Sequence, residues 1–368
     1  MQFLSALSSR EDILLFQWSD PEKPLVLSRK ILTTGARDGC PTDAQPSIGI
    51  GPIERFASMK GRRRIGFVVW ETTRIPRAQL EFLAVLDELW TPSRWGADIL
   101  IDNGVPGDKV KVVPEGVDVQ EFRPPSHSKS ELARPFRFLC IGKWEVRKCI
   151  EELVIAFCLE FKPSEHVELI LHCDNPFVPS LDVNDKVLSI TTGLPPHPPI
   201  VISPCVPESK LRHLYNSCDA FVLPTRAEGF GLPIVEAMAC ALPVIVTGYG
   251  APLEYVSQSS GYLINVQDLV DVFDPLFFPA RGQYGKWAKP DIGHLRHLLR
   301  YVCEHREEAE QKGRLARRVV CNQWTWDHAA DIAYLQLGKL RHRSELTRAK
   351  NKIDAALDSG ETQRFSRS

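Results

Sequence analysis

The sequence lacks the features that assign a protein to several specialised classes. Its 368 residues contain no run of 18 apolar residues, so no membrane-spanning helix is expected. The formal net charge is −1, and so weak an overall charge does not draw a protein toward nucleic acid or anionic lipid. The segment Met1–Leu7 is short and has no basic opening of the kind that begins a secretory signal peptide. We therefore expect a cytoplasmic protein with no nucleic-acid partner and no transmembrane segment.

Cysteine is present, but not in a pattern that marks a metal site or a disulfide framework. The ten cysteines include no Cys-x-x-Cys pair, the spacing typical of zinc sites and redox motifs. Most lie inside apolar runs such as Phe138-Leu139-Cys140-Ile141, which favours small buried residues in a reducing compartment. We expect free thiols.

What the sequence does contain is an alternation of strand and helix patterns, which is typical of α/β proteins with parallel, doubly wound sheets. The best linker is the polar, proline-bearing stretch Pro124–Ser130. We predict an N-terminal domain over 1–124, a second domain over 125–322, a helix over 323–340 and a charged tail over 341–368.

The predicted elements follow from apolar runs and apolar spacing. In the first domain they are weak strands at Ile13–Phe16 and Pro24–Leu27, a strand at Ile65–Trp70, a helix at Arg77–Trp90 and a strand at Val110–Val113. In the rest of the chain the strands are Phe136–Ile141, Val167–His172, Ala220–Leu223 and Leu242–Thr247, and the helices are Ile150–Phe161, Glu208–Ser217, Pro233–Cys240, Pro290–Arg300, Arg306–Cys321 and Trp326–Leu340.

The segment after the strand Ala220–Leu223 carries the most chemical information. It forms a glycine-bearing loop and enters a helix at Pro233, a residue favoured at the first helical position. Free N–H groups at such a helix end make an anion site, and Gly229 and Gly231 allow the backbone to approach a ligand. We expect Glu228 in the loop and a second carboxylate in the first helical turn, in the crevice where open α/β sheets bind ligands. On spacing alone, a tight turn before an acidic first turn fits equally well.

The run Glu228-Gly-Phe-Gly-Leu-Pro-Ile-Val-Glu236, followed by Leu242-Pro243-Val244-Ile245, resembles the signature of a large retaining glycosyltransferase family. This is the group 1, or family 4, group that includes sucrose and mannosyl transferases. The resemblance implies a GT-B fold, in which two Rossmann-like domains face a central cleft. It implies that Glu236 holds the ribose hydroxyls of the nucleotide and that Glu228 faces the donor sugar. It also implies that loop amides meet the sugar hydroxyls and phosphate, at Phe230, Gly231 and Leu232.

A second glycine, Gly142, is followed by a basic loop that contains Lys143 and Lys148. Alone, such a run is typical of a solvated surface turn. It resembles the donor-phosphate loop of the same family, and a departing nucleoside diphosphate gains charge that cations and amides stabilise. Lys143 stands where the family usually has arginine, and Cys149 where it usually has glycine. We expect both departures to be tolerated at some cost in affinity.

Two further segments are candidates on position. Gly250 and Glu254 lie in a glycine-rich stretch that resembles the family segment facing the donor. Glu71 and Thr72 follow the best first-domain strand, where an acceptor could bind, although a capped strand end is an equally good interpretation. The resemblance also implies that the helix Trp326–Leu340 packs back on the first domain.

The first domain resembles the family least. No glycine-rich loop follows Met1, and about 120 residues precede the linker where roughly 150 are typical of a complete Rossmann-like half. We expect an abbreviated first domain, whose first strand–helix unit is missing or has diverged.

The resemblance implies transfer of a sugar from a UDP- or GDP-sugar to an acceptor hydroxyl, with retention of anomeric configuration. No metal or other cofactor is expected, because Asp174 and Asp219 should lie at opposite ends of the sheet, too far apart to share one ion. The acceptor would be a carbohydrate or a lipid-linked molecule, and a peripheral membrane contact stays open. The alternative is a scaffold that binds a nucleotide sugar without catalysis. An epimerase on the same fold is less favoured, because its acid and base residues are not found.

Overall fold

The computed structural model describes residue 6 and residues 46–125, 134–204 and 206–338. The predicted strands at 13–16 and 24–27, most of the linker and the tail over 341–368 lie outside the described residues. The predicted domain boundary beside the linker stays a prediction.

The first sheet has four parallel strands that follow chain order. Parallel neighbours need crossover connections, and two helices supply those on either side of β3. The strands are β1 (Pro46–Ile50), β2 (Arg63–Phe67), β3 (Glu88–Thr91) and β4 (Val110–Val112), and the helices are α1 (Arg77–Ala84) and α2 (Arg94–Asp102).

The predicted helix Arg77–Trp90 is wrong in its second half. The helix ends at Ala84, and Glu88–Thr91 form β3, which pairs with both β2 and β4. All four residues of β3 are buried. Leu89 lies three residues after Leu86, a spacing that continues a helical stripe, so the apolar pattern did not separate β3 from the helix before it. The predicted strand Ile65–Trp70 likewise ends at Phe67, where the chain leaves the sheet.

The second sheet has six parallel strands in the order β10-β9-β8-β5-β6-β7. The chain first builds outward from β5 to β7 and then returns to place β8 on the other side of β5. The β5/β8 boundary is thus a topological switch point, where open α/β sheets bind ligands. The strands are β5 (Phe136–Ile141), β6 (Val167–His172), β7 (Ile200–Ile202), β8 (Ala220–Leu223), β9 (Val244–Thr247) and β10 (Tyr262–Ile264).

Helices cover this sheet, and most were predicted to within a few residues. They are α3 (Ile150–Glu160), α4 (Val183–Thr191), α5 (Glu208–Asn216), α6 (Leu232–Ala239), α7 (Ile292–Glu304) and α8 (Arg306–Gln323). The sequence analysis missed α4, which buries only Val183 and so shows little apolar pattern. It also missed β7, β10 and an antiparallel hairpin of β11 (Val266–Asp271) and β12 (Lys286–Pro290).

The end of the chain returns to the first domain. Residues 326–338 form a helix, α9. Its buried residues Ala329, Ala330 and Ala333 share an apolar cluster with Phe67 and Trp90 of the first sheet. Small side chains on this face let the helix lie close to the sheet.

Six of the cysteines among the described residues are buried, as the apolar runs around most of them predicted, namely Cys140, Cys149, Cys158, Cys173, Cys218 and Cys240. No helix in the described part of the chain is both long and apolar enough to cross a membrane.

Helix α6 ends with an unusual residue at the position after its C-cap. The Ala241 N–H donates to the Met238 carbonyl at 2.9 Å, and the Leu242 N–H donates to the Ala237 carbonyl at 3.0 Å. This is the Schellman pattern, which places its C′ residue in the left-handed region and usually has glycine there. Ala241 has a φ of 59°, where a Cβ atom crowds the following carbonyl.

Replacing Ala241 with Gly should therefore raise the free energy of unfolding by about 1 kcal/mol, because the left-handed strain disappears. Ala239→Gly is the matched control and should lower it by about 1 kcal/mol or more, since Ala239 is buried inside the helix. Urea unfolding measures both. If both variants changed the free energy of unfolding in the same direction, the proposed backbone strain at Ala241 would be contradicted.

Candidate active site

The candidate site lies where the loops after β5 and β8 meet the first domain. A Cβ atom on Gly229 would lie 2.5 Å from Val69 Cγ1 and 3.0 Å from the Trp70 carbonyl oxygen, so the absent side chain makes room for the loop after β2. The Ser93 hydroxyl donates to the Gly229 carbonyl at 2.8 Å. Gly229, predicted to face a ligand, is therefore also a point of contact between the domains.

Glu228 and Lys148 are brought together across the switch point. Lys148 Nζ lies 2.6 Å from Glu228 Oε1, and the two side chains are only 8% and 4% exposed. A buried carboxylate is costly unless it is paired. Although burial works to raise it, the charges of Lys148 and Arg147 lower the pKa of Glu228 below its ordinary value. Glu228 is thus held ionised.

Arg147 is the important residue that the sequence analysis missed. Its Nη1 lies 3.2 Å from Glu228 Oε1 and 3.1 Å from Glu71 Oε1, and its Nη2 lies 3.2 Å from Glu145 Oε2. The side chain is 4% exposed. A basic run by itself predicts solvated side chains, and nothing in the run distinguishes the residue that a short 3-10 turn (Val146–Lys148) directs inward.

Lys143 joins this cluster only at its edge. Its Nζ lies 2.8 Å from Glu145 Oε1, and its side chain is 41% exposed. The ammonium also lies over the ring of Phe177, 4.9 Å from its centroid. Lys143 and Lys148, both predicted to stabilise the departing diphosphate, therefore occupy different environments.

Cys149, where the sequence resemblance implied glycine, has a left-handed backbone conformation that favours glycine. Its φ is 52° and its ψ is 37°, in the left-handed region between the 3-10 turn and α3. The thiol is buried. The cysteine is accommodated with some backbone strain. A Cβ atom on Gly142 would lie 3.6 Å from Lys148 Cδ, an ordinary van der Waals distance.

The end of the loop before α6, at Phe230 and Gly231, offers main-chain groups rather than side chains to the helix N-terminus. Gly231 caps the helix with a φ of 98°, so the helix begins at Leu232 and Pro233 is its second residue rather than its first. The Phe230 ring is buried against Tyr255 and Trp324. At the helix N-terminus, residues 230–232 therefore offer a ligand their main-chain N–H groups.

Glu236 lies in the second turn of α6, not the first as predicted, because the helix starts one residue before Pro233 and has no acidic residue in its first turn. Tyr215 on α5 donates its hydroxyl proton to Glu236 Oε2 at 2.7 Å. Burial, and then the Glu236 charge, raises the pKa of Tyr215 well above its ordinary value, so the hydroxyl stays a donor.

Gly250 and Glu254 approach the site from β9. Gly250 has a φ of 78°, and a Cβ atom there would lie 3.3 Å from the Glu228 carbonyl oxygen. The Glu254 carboxylate accepts the Trp95 N–H at 3.2 Å, at the N-terminus of first-domain helix α2. Burial raises the pKa of Glu254 above its ordinary value, while the Trp95 N–H opposes this. Glu254 thus contacts the first domain.

The two acceptor-side candidates differ in their contacts. Thr72 is buried, and its hydroxyl accepts from Trp70 Nε1 at 2.8 Å and donates to the Arg74 carbonyl at 3.0 Å. Glu71 is 28% exposed and faces Arg147. Burial raises the pKa of Glu71 above its ordinary value, although Arg147 works in the opposite direction. Of the two, only Glu71 contacts the Arg147–Glu228 cluster, whereas the Thr72 hydroxyl bonds within its own loop.

The β11–β12 hairpin forms hydrogen bonds with the loop that contains Glu71. Trp287 Nε1 donates to the Glu71 carbonyl at 2.7 Å, and the Lys286 N–H donates to Thr73 Oγ1 at 2.7 Å. The Arg74 N–H donates to the Tyr284 carbonyl at 3.0 Å. These bonds join a main-chain loop of the first domain to the second domain, so the position of Glu71 depends on both.

Asp174 and Asp219 lie at opposite ends of the second sheet, as their positions in the chain predicted. Asp174 follows β6, and its carbonyl accepts the Trp144 N–H at 3.0 Å. The Asp219 carboxylate precedes β8 and binds Arg134 at 2.6 Å. Within the described residues, no three or more His, Cys, Asp or Glu side chains are grouped to hold a metal ion.

Comparison with known proteins finds a family match over part of the chain, around the second sheet. Residues 135–275 match the family described as glycosyl transferases group 1. The family resemblance predicted from the sequence is confirmed over this segment. The chain is 29% identical over 178 residues to D-inositol 3-phosphate glycosyltransferase from Frankia alni, covering 46% of this chain and 44% of that protein. It is 27% identical over 169 residues to mannosylfructose-phosphate synthase from Agrobacterium fabrum, covering 44% of this chain and 37% of that protein.

Solved structures confirm the predicted GT-B fold. Sucrose-phosphate synthase from Thermosynechococcus elongatus superposes with a TM-score of 0.57 at 19% identity, covering 80% of this chain and 71% of that one. HepE from Anabaena, in complex with UDP-glucose, superposes with a TM-score of 0.59 at 17% identity, covering 78% and 74%. The chain spans about half the length, or less, of the curated relatives it matches first.

Glu115, in the turn after β4, generates a pH-dependent prediction. Burial raises the pKa of Glu115 to about 7 from an ordinary 4.5, and the Glu71 and Glu228 charges add to the rise. Well below pH 4.5 the carboxyl is neutral in both folded and unfolded chains, and at pH 4.5 it is half ionised in the unfolded chain only. As the pH rises from 4.5 through 7, the unfolded chain ionises first and the folded state loses stability, by roughly 3 kcal/mol in total.

The variant Glu115→Gln should therefore be more stable than the wild type at pH 8, by up to about 3 kcal/mol, and within about 0.5 kcal/mol of it at pH 4.5, where the unfolded carboxyl is only half ionised. Urea unfolding at the two pH values measures this. Glu151→Gln, at an exposed carboxylate, is the control and should show no such trend. An equal effect of Glu115→Gln at both pH values would contradict the raised pKa.

Proposed function

We propose that the protein transfers a sugar from a UDP- or GDP-sugar to an acceptor hydroxyl, with retention of anomeric configuration and without a metal ion. The observation that carries the proposal is the Lys148 ammonium 2.6 Å from Glu228 Oε1, at the switch point and beside the N-terminus of α6. A cation, a helix N-terminus and an ionised carboxylate at one crevice suit a molecule that is anionic at its phosphates and becomes cationic at its sugar.

In this proposal Lys148 and the free N–H groups at the start of α6 hold the diphosphate. As the bond between the sugar C1 and the phosphate oxygen breaks, negative charge grows on the diphosphate and positive charge on the sugar, which faces Glu228. The acceptor hydroxyl attacks on the face that the diphosphate leaves, and its proton passes to the departing phosphate oxygen. Glu236 would bind the ribose hydroxyls, with Tyr215 fixing one of its oxygens.

The comparisons support this choice of substrate class. The curated relatives are named as glycosyltransferases and a sugar-phosphate synthase, and the HepE structure contains UDP-glucose. For the acceptor, a carbohydrate or lipid-linked hydroxyl is proposed, bound on the Glu71 side of the cleft. Cytoplasmic location is part of the same proposal.

One observation favours the alternative of binding without transfer. The first-domain loop contacts Gly229, and the Glu71 carboxylate is bound to Arg147, so the acceptor side is occupied by the protein's own groups. A nucleotide-sugar-binding protein with no turnover would have such an arrangement. Measuring the release of UDP or GDP from a nucleotide sugar separates transfer from binding without transfer.

The test is the release of UDP or GDP from a panel of nucleotide sugars, with Lys148→Met as the site variant. We expect turnover by the wild type and a loss of kcat of about 100-fold or more in Lys148→Met, because a charge that grows in the transition state loses its partner. Lys186→Met, at an exposed position of α4, is the matched control and should keep full activity.

A kcat of Lys148→Met within about threefold of the wild type would reject the phosphate assignment, since that is under 1 kcal/mol of transition-state stabilisation. Binding of nucleotide sugar without release by the wild type would favour the scaffold alternative. With an active α-linked donor, an NMR coupling constant showing a β-linked product would reject retention.

Metal independence is tested with the donor that the panel identifies. Turnover should persist in excess EDTA, because the proposal assigns stabilisation of the diphosphate to Lys148 and the helix N-terminus. Added magnesium or manganese should change kcat by less than about twofold, or under 0.5 kcal/mol. Loss of activity in EDTA, with rescue by either ion, would contradict this assignment.

A further inference from the structure

One guanidinium joins carboxylates from both domains. Arg147 Nη1 lies 3.1 Å from Glu71 of the first domain and 3.2 Å from Glu228 of the second, and it also donates to the Ala227 carbonyl at 2.7 Å. Arg147 Nη2 binds Glu145 at 3.2 Å. Two of the three oxygens near Nη1 belong to carboxylates, those of Glu71 and Glu228, which would repel one another without the shared cation.

The Arg147 main chain is held as firmly as its side chain. The Arg147 carbonyl accepts the Arg226 N–H at 2.7 Å and the Thr225 hydroxyl at 3.2 Å, both in the loop after β8. On the other side, Trp287 Nε1 fixes the Glu71 carbonyl. The Glu71–Arg147–Glu228 contact is thus supported by hydrogen bonds on both of its sides.

Glu228 is paired with two cations, Arg147 and Lys148, and the proposed function assigns Lys148 to the diphosphate. Lys148 Nζ and Arg147 Nη1 both lie within 3.2 Å of the same oxygen, Glu228 Oε1. A diphosphate that attracts Lys148 weakens its hold on Glu228. Arg147 then remains as the cation that opposes the burial of this carboxylate.

Resting on the proposed function, we propose that Arg147 is the positioning residue that docks the first domain, through Glu71, onto the sugar-facing Glu228 and keeps Glu228 ionised when Lys148 turns to the diphosphate. A planar guanidinium reaches several acceptors in fixed directions, whereas a lysine ammonium is a single point charge. Arginine is therefore required at this position. Charged and titratable groups face Glu228 from each neighbouring element, namely Arg147, Lys148, Glu71, Glu115 and Tyr255.

The test combines Arg147→Lys with Glu71→Gln, singly and together, and uses two measurements. The first is the pH profile of kcat. Weakening the cation at Glu228 raises the pH at which this carboxylate protonates, so we expect the acidic limb in Arg147→Lys to move up by about one pH unit. The donor KM should change less than about threefold, because Lys148 remains in place.

The second measurement is amide hydrogen exchange over residues 69–74 in the protein without substrate, which needs no turnover. We expect faster exchange in Arg147→Lys and in Glu71→Gln, and no further increase in the double variant, because both changes break one contact. Arg300→Lys is the matched control, since Arg300 joins Glu160 and Glu165 away from the cleft. It should leave kcat, its pH profile and exchange at 69–74 unchanged.

The outcomes separate the two proposals. Failure of the wild type to release nucleoside diphosphate from any donor would overturn the proposed function, while exchange over 69–74 would still decide whether Arg147 docks the first domain. An active wild type with an unshifted acidic limb in Arg147→Lys, or additive exchange effects in the double variant, would overturn the role of Arg147. A threefold or larger change in donor KM with unchanged kcat would instead make Arg147 a donor-binding residue.

Discussion

The buried carboxylate of Glu228 is the constraint on which the site depends. A charge only 4% exposed is stable only with partners, and here both partners come from one turn after β5, on the opposite side of the switch point. The adjacent β5 and β8 strands bring that turn and the Glu228 loop to the same edge of the sheet. The strand order thus decides that Lys148 and Arg147 meet Glu228, although 80 residues of chain separate Lys148 from it.

The same ionic cluster extends across the cleft. Glu71 reaches Arg147 because Gly229 has no side chain, so the loop after β2 approaches the loop after β8 closely. The β11–β12 hairpin, joined to that loop by Trp287, and helix α9, packed on Phe67 and Trp90, tie the two domains together elsewhere. The arrangement of the candidate site is therefore a property of both domains.

Local pattern predicted most of the second domain because its strands and helices are long enough to show their periods. It failed at β3, where Leu89 continued the helical spacing of the apolar residues before it, and at α4, where a polar helix buries one residue. It also placed the start of α6 one residue late, since Pro233 suggested the first position, whereas the left-handed conformation of Gly231 starts the helix at Leu232. Strand pairing defines β3, the burial of a single residue hides α4, and the backbone conformation of Gly231 sets the start of α6.

The sequence by itself determined the α/β class and the family resemblance, because the glycines, proline and carboxylates between Leu223 and Glu236 are contiguous and each has a local role. It also indicated Glu228, Glu236 and Lys148 as candidates. Only the tertiary structure decided that Arg147 turns inward, that Lys143 stays half exposed and that the Thr72 hydroxyl is engaged within its own loop. These depend on distances between segments far apart in the chain, and a local pattern contains no information on such distances.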